Sequence, residues 1–347
     1  MNNVTLKKLA ELLKMSPSTV SRSLRDSHEI SKETKDRVKA LAAELDFQPN
    51  PHASSLRKNK SRTIAVVIPE IQNNFFSQVM NGVEEVARQK GYHVLIYLTH
   101  EDHKRESDIL HLLKNGRVEG VMISVSNTTK SFEHLQEYTK ADLPLLFFDR
   151  VCESIEAPCI TTDDTDASFK ATEHLLKAGC KKIAFLSMAD NLSISCGRRS
   201  GYIKALAKYG QEKNELVIEC GPDDETNRQK IRELLQTEPV PDGIFAAVEK
   251  FAVNTYEVCR ELDIKIPQHL KVIGFSNLSA TALFDPPLST IVQPAHDIGL
   301  ESANILFKII DKKKLLSSEK KIVLPSHLVI RESTMSRQQI KPPVAVK

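Results

Sequence analysis

From Thr63 onward the chain alternates short, continuously apolar runs with longer amphipathic ones, and this alternation limits the fold more than any other feature. The first set runs TIAVVIP (63–69), a helix over 74–90 ended by Gly91, HVLIYLT (93–99), a helix over 102–115, GVMIS (120–124), a helix over 131–140 and PLLFFD (144–149). The second comprises a helix over 166–178, KIAFLSM (182–188), a helix over 198–209, LVIEC (216–220), a helix over 224–236, GIFAAV (243–248), a helix over 250–262 and KVIGF (271–275). Strands that are apolar on both faces must be covered on both faces, which predicts parallel sheets flanked by helices. Two sets predict two Rossmann-like lobes. A cleft between them, at the strand C-termini, is where a small ligand belongs.

The residues before this pattern differ in kind. Residues 1–62 carry 13 Lys and Arg against 7 Asp and Glu, a net +6, whereas the remaining 285 carry 35 against 38. A small basic head on a near-neutral body suits contact with a polyanion. Val4 to Lys14 reads as a helix that Thr5 can cap, with Leu6, Leu9, Ala10 and Leu13 on one face. After a break at Met15, Ser16 caps a second helix with Pro17 at its first position, reaching about Leu24. A third starts near Ser31 and buries Val38, Leu41, Ala42 and Leu45. Three short helices with a tight first break form a helix-turn-helix, whose second helix enters the major groove. Asn50-Pro51 then signals a further helix to about Arg57. It has only two turns, too few to stand alone in water. Its one large apolar group, Leu56, is followed by Lys58, Lys60 and Arg62, a composition suited to wedging a minor groove while cations hold phosphates.

Composition narrows the remaining classes. Six scattered cysteines without a CxxC fit a reducing cytoplasm. The polar N-terminus reads as lacking a signal peptide, and no apolar run approaches the ~18 residues of a membrane span. Phosphate-loop, dinucleotide, HExxH and GxSxG motifs are absent. His100 and His103 with Glu101 and Asp102 have metal-like spacing, but they fall at a strand-to-helix turn where acidic capping is expected. The expectation is therefore no metal and no cofactor.

The run VTLKKLAELLKMSPSTVSRSL (4–24) resembles the reading head of the lactose/galactose-repressor (LacI/GalR) family. LDFQPNPHASSLRKNKSRTIAVVIP resembles that family's hinge and first sensor strand, and the match extends over residues 4 to 333. The resemblance implies a small all-α helix-turn-helix head over 1–47, a hinge helix or linker over 48–61, and a periplasmic-binding-protein-like α/β sensor over 62–347. Lobe 1 would hold about 62–161 plus 292–325, and lobe 2 about 162–291 plus 326–333. TIVQP (290–294) and a helix at 297–311 resemble the return to the first lobe. By resemblance, Pro17, Ser18 and Arg22 occupy base-reading positions and Leu56 is the minor-groove lever. Pro17 lacks a side-chain donor and Ser18 is short, so Arg22 is left to carry most direct readout. Thr5, Ser16, Ser21 and Asn50 are candidates for backbone positioning. Thr19, Ala53 and Arg57 complete the DNA-facing set.

In the cleft, Phe75 and Phe76 follow the first strand, Asp149 and Arg150 end another, Asp163 and Asp164 lie at a lobe crossover, and Arg198 opens a helix three residues before Gly201. Packing, capping or surface ion pairs would account for each alone. By resemblance to RxxGY in the family, Arg198 is the leading effector contact, with Asp149 and Phe76 next. Two departures stand out. Val248-Glu249 replaces an Asn-Asp of many sugar-binding members, and Ser276-Asn277 follows Gly274-Phe275 where many carry Gly-Phe-Asp. They remove two polyol-binding groups, for which Ser276, Asn277 and Glu249 are the available substitutes. The expected function is a cytoplasmic, homodimeric transcriptional repressor on a pseudo-palindromic operator, responsive to a small effector for which a carbohydrate is the candidate. Competing readings are a transporter's solute-binding protein, a regulator answering to a partner protein, and an enzyme acting on a sugar or nucleoside. The last lacks a paired acid and base.

Overall fold

The computed structural model describes residues 5–24, 26–47, 61–188 and 191–335. Its contacts divide the chain into two units, Met1–Ser61 and Arg62–Lys347. In the first, α1 (Leu6–Leu13), α2 (Pro17–Leu24) and α3 (Lys32–Glu44) pack around Leu9, Ala10, Val20, Val38 and Ala42. Each start is closed by a hydroxyl that accepts an otherwise unpaired backbone N–H: Thr5 from Lys8, Ser16 from Thr19 and Ser31 from Thr34. Lys14 takes a left-handed backbone with φ 51°, and this reverses the chain between α1 and α2. Leu41 and Leu45, expected in the core, are only half-buried beside it.

The second unit contains two six-stranded sheets. Lobe 1 is built from β1 (Thr63–Ile68), α4 (Asn74–Gln89), β2 (His93–Leu98), α5 (His103–Leu113), β3 (Gly120–Ile123), α6 (Glu133–Lys140), β4 (Leu145–Phe148) and β5 (Cys159–Thr162). Lobe 2 continues with α7 (Asp164–Lys177), β6 (Ile183–Ser187), α8 (Ser193–Lys208), β7 (Leu216–Glu219), α9 (Asp224–Gln236), β8 (Gly243–Ala246), α10 (Glu249–Glu261), β9 (Lys271–Phe275) and β10 (Ser289–Val292). Then α11 (Ala295–Ile310), α12 (Ser317–Lys320) and β11 (Lys321–Leu324) belong with lobe 1, and β12 (His327–Val329) with lobe 2. The sheet orders are β11-β5-β4-β3-β1-β2 and β12-β10-β9-β8-β6-β7. All pairings are parallel except β10–β12.

Central strands β1, β3, β4, β6 and β8 are buried almost throughout, as continuous apolar runs require. Three expectations need correction. The apolar run of β2 forms a sheet edge, with Leu95 and Ile96 40% and 43% exposed. The strand read as the return to lobe 1, β10, pairs with β9 and so completes lobe 2; the chain crosses back only after it. And α8 begins at Ser193 rather than at Arg198. Apart from Ile194, the residues from Ser193 to Gly197 are small or polar and form helix poorly on their own. Burial of Ile194 and Ser195 supplies the reason to fold.

Candidate functional site

On the head, Ser16, Pro17, Ser18 and Arg22 are exposed, while Thr19 and Ser21 are half-buried. The start of α2 is wired internally, for Ser16 Oγ lies 2.8 Å from both Ser18 Oγ and Thr19 Oγ1. Among the described residues the Arg22 side chain has one partner, Nη1 donating to Glu29 Oε2 at 2.7 Å, and both side chains are more than half exposed. An exposed ion pair of this kind contributes little, so the guanidinium is easily transferred to another acceptor. Thr5 is exposed at the start of α1. Asn50, Ala53, Leu56 and Arg57 lie outside the described residues.

In the second unit, the C-terminal ends of the strands converge on a cleft of about 390 Å³, open mouth included. All seven expected effector contacts, Phe75, Phe76, Asp149, Arg198, Val248, Ser276 and Asn277, line it. Phe76 is held edge-on by Phe75 and Phe148, at 5.3 and 6.3 Å between centroids, which fixes one apolar wall. Arg198 is 2% exposed and its fork is already engaged. Nε donates to Asp164 Oδ1 and Nη1 to the Ala247 carbonyl, each at 2.6 Å, and the guanidinium lies 3.8 Å over the Phe275 ring. Burial pushes the Asp164 carboxyl up from its ordinary range, against the pull of Arg198. The planar group thus presents an edge to the cleft while its partners hold it rigid.

Asp149 sits at the end of β4 with φ 59°, a left-handed conformation that costs a residue with a Cβ of order 1 kcal/mol. It is 6% exposed and receives Ser124 Oγ at 3.3 Å. Burial, only partly offset by Arg150 and Arg198, pushes its carboxyl up to about 6. The folded state therefore holds the Asp149 proton more tightly than the unfolded chain, where the pKa is near 3.9. Stability is free of this penalty below pH ~4 and declines as pH rises from there through about 6, by about 3 kcal/mol in all. Asp149→Asn should remove the penalty, and Asn tolerates the left-handed backbone. Denaturant unfolding should find the variant more stable at pH 7.5 and equal to the parent at pH 4; no gain at pH 7.5 would contradict the burial argument.

Arg150 Nη1 donates to both oxygens of Glu101, at 2.7 and 2.9 Å, while its buried Nε has no hydrogen-bond partner and lies 3.8 Å from Asp149 Oδ2. Glu249 opens α10, and its carboxylate accepts from Ser276 Oγ at 2.6 Å, the Leu278 N–H at 3.1 Å and, from lobe 1, Asn74 Nδ2 at 3.1 Å. Gln78 and Asn277 form a second bridge: Asn277 Nδ2 donates to Gln78 Oε1, and Gln78 Nε2 to the Asn277 carbonyl. Val151 N–H donating to Ser193 Oγ at 3.1 Å and Asn191 bonding the Asn127 carbonyl link the lobes elsewhere. Phe275, Ile194 and Gln293 also line the cleft. Nothing in their local sequence marks the last two, whereas Phe275 carries the strand-end signal that singled out Asp149.

The metal-like run resolves differently. Asp102 caps α5 through the Arg105 N–H. Among the described residues, His103, Glu106 and His134 have ligand atoms within 4.8 Å of one another. Glu106, however, already accepts from the Ser126 N–H, Thr129 Oγ1 and His134 Nε2, and so anchors the loop after β3.

A helix-turn-helix unit and a two-lobed solute-binding fold with a polar, aromatic-walled cleft define a DNA-binding regulator that carries its own sensor. Residues 5–50 match the family described as "Bacterial regulatory proteins, lacI family", and residues 61–331 match "Periplasmic binding proteins and sugar binding domain of LacI family". The chain is 33% identical to the ribose operon repressor of Halalkalibacterium halodurans, covering 95% of this chain and 97% of that one. It is 28% identical to the repressor CytR of Escherichia coli K12, covering 95% and 96%. A crystal structure of the lac repressor dimer bound to operator and an anti-inducer shares the fold, with a TM-score of 0.85 at 24% identity over 96% of this chain and all of that one. The chain belongs to the LacI family and is a DNA-binding transcriptional regulator with an effector-binding sensor.

Proposed function

We propose that the protein is a cytoplasmic, homodimeric repressor that binds a pseudo-palindromic operator and releases or tightens its hold when a small effector, a sugar or related polyhydroxy compound, enters the cleft. The observation that carries this reading is the convergence of all seven expected cleft residues on one cavity at the strand C-termini. Arg22 reads a base edge, helped by Pro17 and Ser18, while Thr5, Ser16, Thr19 and Ser21 meet the backbone. Asn50 joins them on the backbone, and Leu56, flanked in the hinge by Ala53 and Arg57, is the minor-groove lever. Dimerisation is supported by apolar surface that a lone chain leaves in water: Leu95 and Ile96 on the β2 edge, and Leu283, 85% exposed, in lobe 2.

The test is selection of duplexes by the full-length protein and by Arg22→Ala. Loss of a bidentate guanine contact costs about 1–3 kcal/mol of discrimination, or roughly 5- to 150-fold, at one base pair per half-site. Non-specific affinity should fall much less. An unchanged base preference would remove Arg22 as the reader.

A further inference from the structure

The cleft's charges do not balance, and the imbalance bears on what it admits. Four charged side chains line it: Asp149, Arg150, Arg198 and Glu249. Each arginine is matched from behind by a carboxylate, Arg150 by Glu101 and Arg198 by Asp164. The two remaining carboxylates stand in excess. Asp149 shares Arg150, whose Nε lies 3.8 Å from Oδ2, and feels the charge of Arg198, but neither arginine hydrogen-bonds it. Glu249 has no cation among its described partners, which are all neutral donors: Asn74, Ser276 and the Leu278 backbone. A carboxylate offers about four lone-pair sites, so three donors leave room for one more. An anionic ligand would bring a further negative charge to a site with no uncommitted cation among the described residues.

We propose that Glu249 makes the cleft selective for a ligand bearing a protonated amine alongside its hydroxyls, such as an aminated sugar, over neutral and phosphorylated counterparts. The amine approaches the Glu249 carboxylate. A ligand hydroxyl donates to Asp149 Oδ2, whose nearest cation, the Arg150 Nε at 3.8 Å, is itself buried and unpartnered. Glu249 also bonds Asn74 across the lobes, so an amine competing for that carboxylate acts directly on a contact that joins them. The inference rests on the effector-binding reading of the cleft. It deepens that reading by naming the charge of the effector.

The test titrates the full-length protein by calorimetry with matched sets: pentoses and hexoses, each with its amino, N-acetylamino and phosphate derivative. In the best-binding set, the free amine should bind at least tenfold tighter than the neutral parent, acetylation should remove the gain, and the phosphate should not bind. Glu249→Gln should reduce the amine-to-parent affinity ratio at least tenfold. If neutral sugars bind as tightly as amines, or the ratio survives in Glu249→Gln, the inference fails while the effector site stands. If phosphates bind best, the charge argument is wrong. If no member binds while operator binding persists, the effector reading fails with it.

Discussion

Replacing Arg198 by alanine should destabilise the sensor unit by about 3–5 kcal/mol, the usual result of removing one partner from a buried ion pair. Asp164 would be left 8% exposed, with its strongest donor gone. The Ala247 carbonyl and the face of Phe275 lose their contacts in the same step. Asp164 is already pushed up by burial, and Arg198 is the principal group pulling it down. Without the guanidinium its carboxyl rises further, so the folded variant holds a proton that the unfolded chain releases near pH 4. The loss should therefore be larger at pH 8 than at pH 5, because a raised carboxyl pKa gives stability that fades as pH climbs. Denaturant titrations at the two pH values measure it, and adding Asp164→Asn should restore part of the difference at pH 8. Strict additivity of the two substitutions would show that the pair is not coupled.

The parts of this fold that could be read from the chain are those set by local pattern. Continuous apolar runs such as AVVI and LLFF become buried central strands because neither face meets water, and Asn73, Asp102 and Asp223 cap helices where short acceptors precede them. What was missed depends on distant partners. Strand β5 is only four residues, CITT, and becomes a strand by pairing β4 and the remote β11. Its partner β11 and the antiparallel β12 are short and partly exposed, so their hydrophobic period is weak. In the cleft, Asp149, Phe76 and Arg198 were legible from strand ends and one motif. That Arg198 spends its fork on Asp164, and that Glu249 bonds Asn74 175 residues away, could not be. Residue types survive in the sequence; which donors are already spent does not.

Gly201→Ala should cost at least ~3 kcal/mol, and the reason explains why arginine and glycine sit three apart on α8. A Cβ built at Gly201 falls 2.2 Å from the Thr165 carbonyl oxygen and 2.8 Å from the Phe169 nitrogen, both backbone atoms of α7. Side chains can rotate out of the way, but backbone cannot, so the two helices have to part. Overpacking a well-filled interior costs 1–3 kcal/mol where neighbours relax, and more where they do not. Against this, alanine gains only about 1 kcal/mol over glycine in helix propensity, so the clash decides the sign. Separation also strains the next residue, because Tyr202 Oη donates to the Ile183 carbonyl at 2.8 Å and accepts from the Leu216 N–H at 3.0 Å. It further pulls Arg198 from Asp164, since those residues lie one turn along the same contact. Gly197 is the control on the same helix: its added Cβ would meet the Asp164 Cβ at 3.2 Å, an overlap relieved by a shift of a few tenths of an ångström, against the 2.2 Å approach at Gly201. Urea unfolding should therefore rank Gly201→Ala well below Gly197→Ala. A Gly201→Ala variant as stable as the parent would mean that α7 and α8 are not pressed together at this point, and that glycine is not what seats the arginine.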